Sequence, residues 1–343
     1  MSMNNDLFAD AARDVLADQC TPHVVRAIEA GGRTAEATTA LWEQLEATGL
    51  ADALLSEDGG GAGLGLGQVF GVLEQCGAHA LPLPLGETMV ARALLAQAGV
   101  ARPAGSIALA RGEHLADGGL RCALVRSGQV AAAVLVQAGT EWRLMGTGDA
   151  QGTPQALALD AALTWTAVQV QAAPAVAVNG ALDARTLQAA VVAAQMAGAL
   201  SSVFQRSLQY ANERQQFGRP IGKFQAIQHQ LAVMSEHVFA ARMAAQLGCS
   251  GAGVLPDRLR VATAKARCSE AALVVSELAH AIHGAIGFTE EYDLQLFTRR
   301  LHAWRQTAGS EAYWYGVAGE ALLDHPGMSL DTVRRITDVD AVL

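Results

Sequence analysis

The sequence predicts an α+β protein that is mainly α: an N-terminal helical domain over 1–103, a small middle β domain over 104–180 and a C-terminal four-helix bundle over 181–343. Three observations predict it. Apolar residues recur at helical spacing from Leu7 to about Ala98, short runs of small and β-branched residues follow from Ala104 to Val178, and helical periodicity returns from Leu182 onward. At 343 residues the chain exceeds one typical domain, and 51% apolar residues suffice for more than one core.

In the first part "TTALWEQLEATG" stops at Gly49, and "QVFGVLEQCG" sets Val69, Val72, Leu73 and Cys76 on one face. Between them lies "EDGGGAGLGLG", Glu57 to Gly67. It has no GKT or GKS, no G-x-G-x-x-G, and follows a helix, so it reads as a tight connection and not a phosphate loop. In the middle part the runs "SIALA", "CALVR", "VAAAVLVQ", "WRLMG", "ALALD" and "WTAVQVQ" are spaced as strands of a small antiparallel β domain or barrel.

The bundle begins with an Ala-rich helix from Thr186 to about Asn212, where Gly198 permits another helix backbone to come close. A second helix stripes Ile227, Leu231, Met234 and Val238; a third, after Pro256, stripes Val261, Cys268, Val275 and Ile282; a fourth carries Leu294, Phe297, Leu301 and Trp304. Short connections between such helices predict an antiparallel bundle.

Composition excludes several classes of function. Net charge is −9 with no basic stripe, which argues against nucleic acid as a partner. The five cysteines are scattered without C-x-x-C spacing, so we expect reduced thiols, no metal site and a cytoplasmic protein. The start "MSMNNDLFADAARD" is acidic and carries no targeting pattern. The most apolar helix, "LQAAVVAAQMAGALSSVF", is interrupted by Gln195 and reads as a buried bundle helix, not a membrane span.

The stretch with the most chemistry is "RQQFGRPIGKFQ", Arg214 to Gln225. Arg214 offers a planar fork of donors suited to a diphosphate, Gly218 and Gly222 allow close backbone approach, and Gln225 sits near a helix start. With the three-part order and "HGAIGFTEEYDLQLFTRR" further on, this string resembles the acyl-CoA dehydrogenases over nearly the whole chain. The resemblance implies FAD as cofactor, bound by Arg214, Phe217 and Gln225, often as the flavin nucleotide of a neighbouring subunit. It adds Ser310, and His283, Gly284 and Gly287 of "AIHGAIG", a segment similar to the family's Q-x-x-G-G-x-G. There Ala281 replaces the usual glutamine and Ala285 the second glycine.

The implied reaction is α,β-dehydrogenation of an acyl-CoA thioester to the enoyl-CoA, which needs a carboxylate base for the α-proton. Where many members have Y-E-G-T-S this chain has "TAGSEA", placing Ala308 at the glutamate position. The alternative position on the first bundle helix is Gln188. Glu311, three residues past Ala308, is then the candidate catalytic carboxylate, with a structural acid as its other reading; Asp183 is a further candidate or a helix cap. The middle domain also lacks the T-E-P-x-x-G-S-D string of members that hold their own flavin. These gaps resemble the smaller subunits of heteromeric acyl-CoA dehydrogenases. The expected partners are an acyl-CoA, a second copy or a homologous subunit, and an electron-transfer flavoprotein as acceptor. The alternative is a non-catalytic partner or interaction protein that clamps the FAD of a homologous chain.

Overall fold

The computed structural model describes residues 3–338. The chain forms two compact units. The first takes the chain up to Val72 with Leu81–Val191 and Gly251–Leu255; the second takes Leu73–Ala80, Val192–Ser250 and the chain from Pro256.

The first unit opens with helices α1 (Met3–Gln19), α2 (Pro22–Gly31) and α3 (Glu36–Ala47), then the start of α4 (Phe70–Ala78), and α5 (Leu85–Gln97). At the start of helix α2, Thr21 accepts from the Val24 amide and Pro22 occupies the first turn. The glycine-rich stretch before α4 is a tight connection. Gly60 and Gly63 take φ of 84° and 64°, and a Cβ on Gly61 would lie 2.3 Å from the Asp52 carbonyl oxygen.

The β region contains two sheets. In the first, β1 (Ile107–Arg111) pairs in parallel with β4 (Ala133–Ala138), and β4 pairs antiparallel with β5 (Glu141–Gly146). The second is antiparallel, in the order β2 (Glu113–His114), β3 (Leu120–Val125), β7 (Ala161–Trp165), β6 (Gln151–Pro154). The purely antiparallel arrangement expected from the strand spacing is therefore corrected. Strand β1 buries four residues in succession, the continuous pattern of a strand covered on both faces, and β2 and β3 form the crossover that a parallel pair requires. Ala108, Cys122, Val134 and Trp165 share the core of this region.

Two strand assignments also fail. "ALALD" is a turn with Leu159 at φ 73°, and the strand is the next five residues. In "WTAVQVQ" only Trp165 belongs to a strand, because Thr166 and Gln169 form a reciprocal capping box that starts helix α6 (Ala167–Ala172). Alternating small residues mimic a strand there, but the local caps decide.

The second unit is helical. Helix α7 (Ala184–Glu213) runs into it from the first, followed by α8 (Gln225–Cys249), α9 (Arg258–His283), α10 (Leu294–Gln306), α11 (Glu311–Leu323) and α12 (Ser329–Thr337). The predicted stripe on α9 is buried throughout, and α9 packs against α8, α10 and α11. The fourth helix stops after 13 residues, since Ala308 and Gly309 at φ 58° and 107° turn the chain before α11. Gly198 does admit a neighbouring backbone: its Cβ would lie 1.8 Å from the Glu74 oxygen, and one on Gly77 would lie 1.7 Å from that of Gln195. Helices α7 and α9 are long and apolar enough to cross a membrane, and 78% of the apolar window of α7 is buried inside the protein, as in a core helix. All five cysteines are buried, and none is in a disulfide.

Candidate functional site

Helix α7 ends one residue before Arg214, whose amide donates to the Tyr210 carbonyl at 2.8 Å. The chain then makes a two-residue hairpin between β8 (Gln215–Gln216) and β9 (Arg219–Pro220), and the Ile221 amide donates back to the Arg214 carbonyl. Phe217 and Gly218, with φ of 51° and 78°, supply the two positive angles that a tight hairpin turn needs. A phenylalanine in that conformation is strained, and its ring is 90% exposed. Gly222 lets the returning chain pass the end of α7, where a Cβ would lie 3.1 Å from the Ala211 oxygen. The hairpin thus holds an arginine and an exposed aromatic ring at one edge.

That edge is the rim of a cavity of ≈ 500 Å³ walled by Tyr210, Arg214, Phe217, Phe224, His283 and Gly284, among others. His283, 4% exposed, closes α9 and stacks on Tyr210 with centroids 4.5 Å apart. Its Nδ1 lies 2.7 Å from the Ala279 carbonyl, so Nδ1 carries the proton and Nε2 is left as an acceptor. The buried Nε2 has no partner among the described residues. Burial lowers the pKa of this ring, and His280 and Arg206 add to the effect against the opposing Ala279 bond, so the imidazole is held uncharged. Gly284 turns the chain at φ 65° with its amide on the His280 carbonyl. The cavity combines a cationic fork with aromatic walls, one of them the His283 ring. Such a set suits a phosphate-bearing, ring-bearing ligand.

Of the residues singled out in the sequence, Arg214, Phe217, His283 and Gly284 meet on this cavity. Gly287 lies just behind it; a Cβ there would come within 3.0 Å of the His283 Cβ. Gln225 starts α8 exposed, beside Phe224 and Ile227, which do line the wall. Ser310 precedes α11 without a side-chain cap bond. Tyr210 and Ile227 had no sequence signal beyond helical spacing, and Phe224 stood inside the quoted string without being singled out.

At the α10–α11 turn, Glu311 makes two bonds to Arg305, through Nε at 2.9 Å and through Nη2. Bonding to Arg305 holds its carboxyl below the usual range, with burial a smaller opposing effect. Such a carboxylate is a weaker base than a free one. We expect Glu311→Gln to lower the melting temperature slightly, by about 1 kcal/mol of lost pairing, and to leave dehydrogenation by a reconstituted enzyme within about threefold. A hundredfold loss of turnover with the fold intact would make Glu311 the base.

The sequence also missed Lys265. It is fully buried on α9, and its ammonium donates to Ser269 Oγ at 3.0 Å and to the carbonyls of Arg305 and Gly309, each at 2.9 Å. It therefore pins both sides of the turn that holds Ala308. Trp314 adds a bond from its indole to the Ala308 carbonyl at 3.1 Å. In the first unit, the Gln188 amide donates to the Leu109 carbonyl at 2.9 Å, and Asp183 caps α7 by accepting from the Thr186 amide at 3.0 Å.

Family models described as acyl-CoA dehydrogenase, N-terminal domain and C-terminal domain match residues 2–102 and 179–323. The chain belongs to the acyl-CoA dehydrogenase family. It is 30% identical over 301 residues to acyl-CoA dehydrogenase IpdE2 of Mycobacterium tuberculosis, covering 86% of this chain and 90% of that protein. IpdE2 of Mycolicibacterium smegmatis is 29% identical over 311 residues, 90% of this chain and 96% of the other. Among solved structures, the Tcur3481-Tcur3483 steroid ACAD G363A variant aligns with TM-score 0.77 and 28% identity over 93% of this chain and 98% of that one. The ChsE4-ChsE5 complex from Mycobacterium tuberculosis aligns with TM-score 0.83 over 95% and 99%; its 22% identity makes this a likeness of fold.

Proposed function

We propose that this chain is a subunit of an FAD-dependent acyl-CoA dehydrogenase, holding the nucleotide end of a flavin while a homologous chain supplies the base. The observation that carries the reading is the Arg214 cavity: an exposed guanidinium fork and the ring of His283, whose buried Nε2 is unpartnered among the described residues, line the same space. The residues fit a dinucleotide. Arg214 would hold the diphosphate and Gly284 would let it lie against backbone, while Tyr210 and Phe224 would wall its rings. Bound there, FAD supplies the hydride acceptor for oxidation of an acyl-CoA to its 2,3-enoyl-CoA.

The α-proton needs a carboxylate, and of the positions considered Ala308 is an alanine, Gln188 an amide bonded to a backbone carbonyl, Glu311 a glutamate bonded to an arginine, and Asp183 a helix cap. Assembly with a homologous chain supplies the missing group. The similar two-chain name Tcur3481-Tcur3483 supports such an assembly and a steroid-type acyl-CoA as substrate. An electron-transfer flavoprotein is the natural acceptor for the reduced flavin. Five buried cysteines, none of them in a disulfide, suit a reducing cytoplasm.

The test is the visible spectrum of the purified chain, alone and mixed with a co-encoded homologous subunit. We expect a flavin band in the mixture and none in the chain alone. A full flavin complement in the chain alone overturns the shared site, and no flavin in either preparation overturns the flavin reading.

A further inference from the structure

Helix α12 is fastened to the protein by its polar side. Arg260 of α9, 2% exposed, donates to the carbonyls of Arg335 at 3.3 Å and Asp338 at 2.7 Å, and to Ser250 Oγ at 3.0 Å. A guanidinium in that place satisfies carbonyls that a helix leaves open at its C-terminal end and suits the negative end of its dipole. Arg335 also pairs with Asp257 at 3.6 Å, and Thr332 is buried.

The apolar side faces the opposite way. Leu330 is 46% exposed and Val333 is 52% exposed, three residues apart on one stripe, and Met328 just before the helix is exposed as well. Leu322 and Leu323, at the end of α11, also meet water. A surface helix of a globular domain ordinarily turns such a stripe inward, and exposed apolar side chains gathered in one stretch mark a face that another molecule covers.

The charges beside the stripe identify that molecule. Asp331 lies near the start of α12, and Arg334 and Arg335 lie near its end. Asp331 accepts from the Met328 amide at 3.3 Å and sits 3.8 Å from Arg334, yet the two side chains stay 49% and 69% exposed and open to a second partner. Two copies of this helix, laid antiparallel about a two-fold axis at the level of Thr332, bring Leu330 of each against Val333 of the other. The same axis sets Asp331 of each beside Arg334 of the other, and the two helix dipoles then oppose favourably. A stripe flanked by one sign of charge would repel its own copy; this one complements it.

We propose that the outward face of α12 is the contact through which two copies of this chain associate, two-fold and antiparallel, with Leu330 and Val333 at its centre. This contact is independent of the flavin site, since α12 carries none of its residues.

Sedimentation equilibrium of the full chain, without its homologous subunit, measures the contact. Wild type is expected to dimerise reversibly, and Val333→Glu to weaken the dimer by about tenfold or more, because the two-fold brings the new carboxylate into the contact twice. Asp331→Arg and Arg334→Asp should each weaken it by about fivefold when alone. Mixed together, these two variants should associate as tightly as wild type, because one helix then carries both positive side chains and the other both negative ones. An ion pair within one helix cannot restore association on mixing, so the mixture decides the matter if Val333→Glu fails to fold. A chain that stays monomeric at every concentration, a dimer that the variants leave unchanged, or a mixture no tighter than either variant alone overturns the proposal. Association seen only with the homologous subunit, and weakened by Val333→Glu, assigns the face to that subunit and overturns the second copy.

Discussion

Arg214→Ala loses FAD while it keeps its fold. The guanidinium is exposed at the end of α7 on the rim of the cavity, so removing it uncovers no core. Surface changes of that kind alter stability by about 0.5 kcal/mol or less. A hydrogen bond to a charged group contributes about 1.5–3 kcal/mol, so losing the clamp should weaken FAD by about ten- to hundredfold. The residual affinity should also depend less on salt, because one exposed charge pair has been removed. Flavin fluorescence titration at two salt concentrations, beside a melting curve, reads both effects. Equal FAD occupancy in wild type and variant would show that the loop does not grip the nucleotide.

Lys265→Met carries the largest expected loss of stability. The methionine fills most of the space of the lysine stem but leaves Ser269 Oγ and the carbonyls of Arg305 and Gly309 without the donor that now bridges them. Each buried polar group left unsatisfied costs about 1–3 kcal/mol, and partial relaxation of the turn reduces the sum, so a loss of about 3 kcal/mol is expected. Hydrogen exchange at 307–310 should rise with it, since that turn holds two positive φ angles and the lysine bonds to a carbonyl on either side of Ala308. An unchanged melting temperature together with unchanged exchange would remove Lys265 from this role.

The same variant exposes a pH dependence. The ammonium matches three donors to three acceptors, but burial dominates and holds its pKa at about 7, against 10.5 for a free lysine. Nearby Cys268 and Glu311 oppose that shift, and Arg305 adds to it. Between the two pKa values the unfolded chain binds a proton that the folded chain has released, so this group makes stability rise with pH across that window. Below the lower value the penalty of the buried charge is present in full. The difference in unfolding free energy, wild type minus Lys265→Met, should therefore increase between pH 7 and pH 10. A difference that is flat or falling contradicts the assignment.

Much of the molecule is legible in the spacing of its residues. The stripe Val261, Cys268, Val275, Ile282 repeats every seven residues, which is two turns of helix, and all four side chains are buried. Gly198 in an alanine-rich helix announces a close backbone crossing, and "RQQFGRPIGKFQ" announces a helix stop, a tight turn and an arginine fork within twelve residues. These signals are local. They depend on neighbours three or four positions away and on the φ angles that glycine and proline permit or impose.

What spacing misreads is equally specific. "WTAVQVQ" alternates like a strand, yet the Thr166–Gln169 capping box makes it a helix, and "SIALA" lies beside a parallel partner that begins 26 residues later in the register. Of the candidate site, the sequence located Arg214, Phe217, His283 and Gly284 but carried no sign that Tyr210 would stack on His283 there.

By itself the sequence determined the order of helical and β regions, the faces that would be buried, and the family through its loop and glycine turn. Only the tertiary structure decided which polar groups are satisfied: Glu311 bound to Arg305, Lys265 bonded to a turn 40 residues away, and His283, His280 and Ser276 each left with one buried polar atom that has no partner among the described residues. The reason is physical. Helix periodicity is a property of a short segment, whereas the burial and bonding of a side chain depend on atoms brought to it by distant parts of the chain.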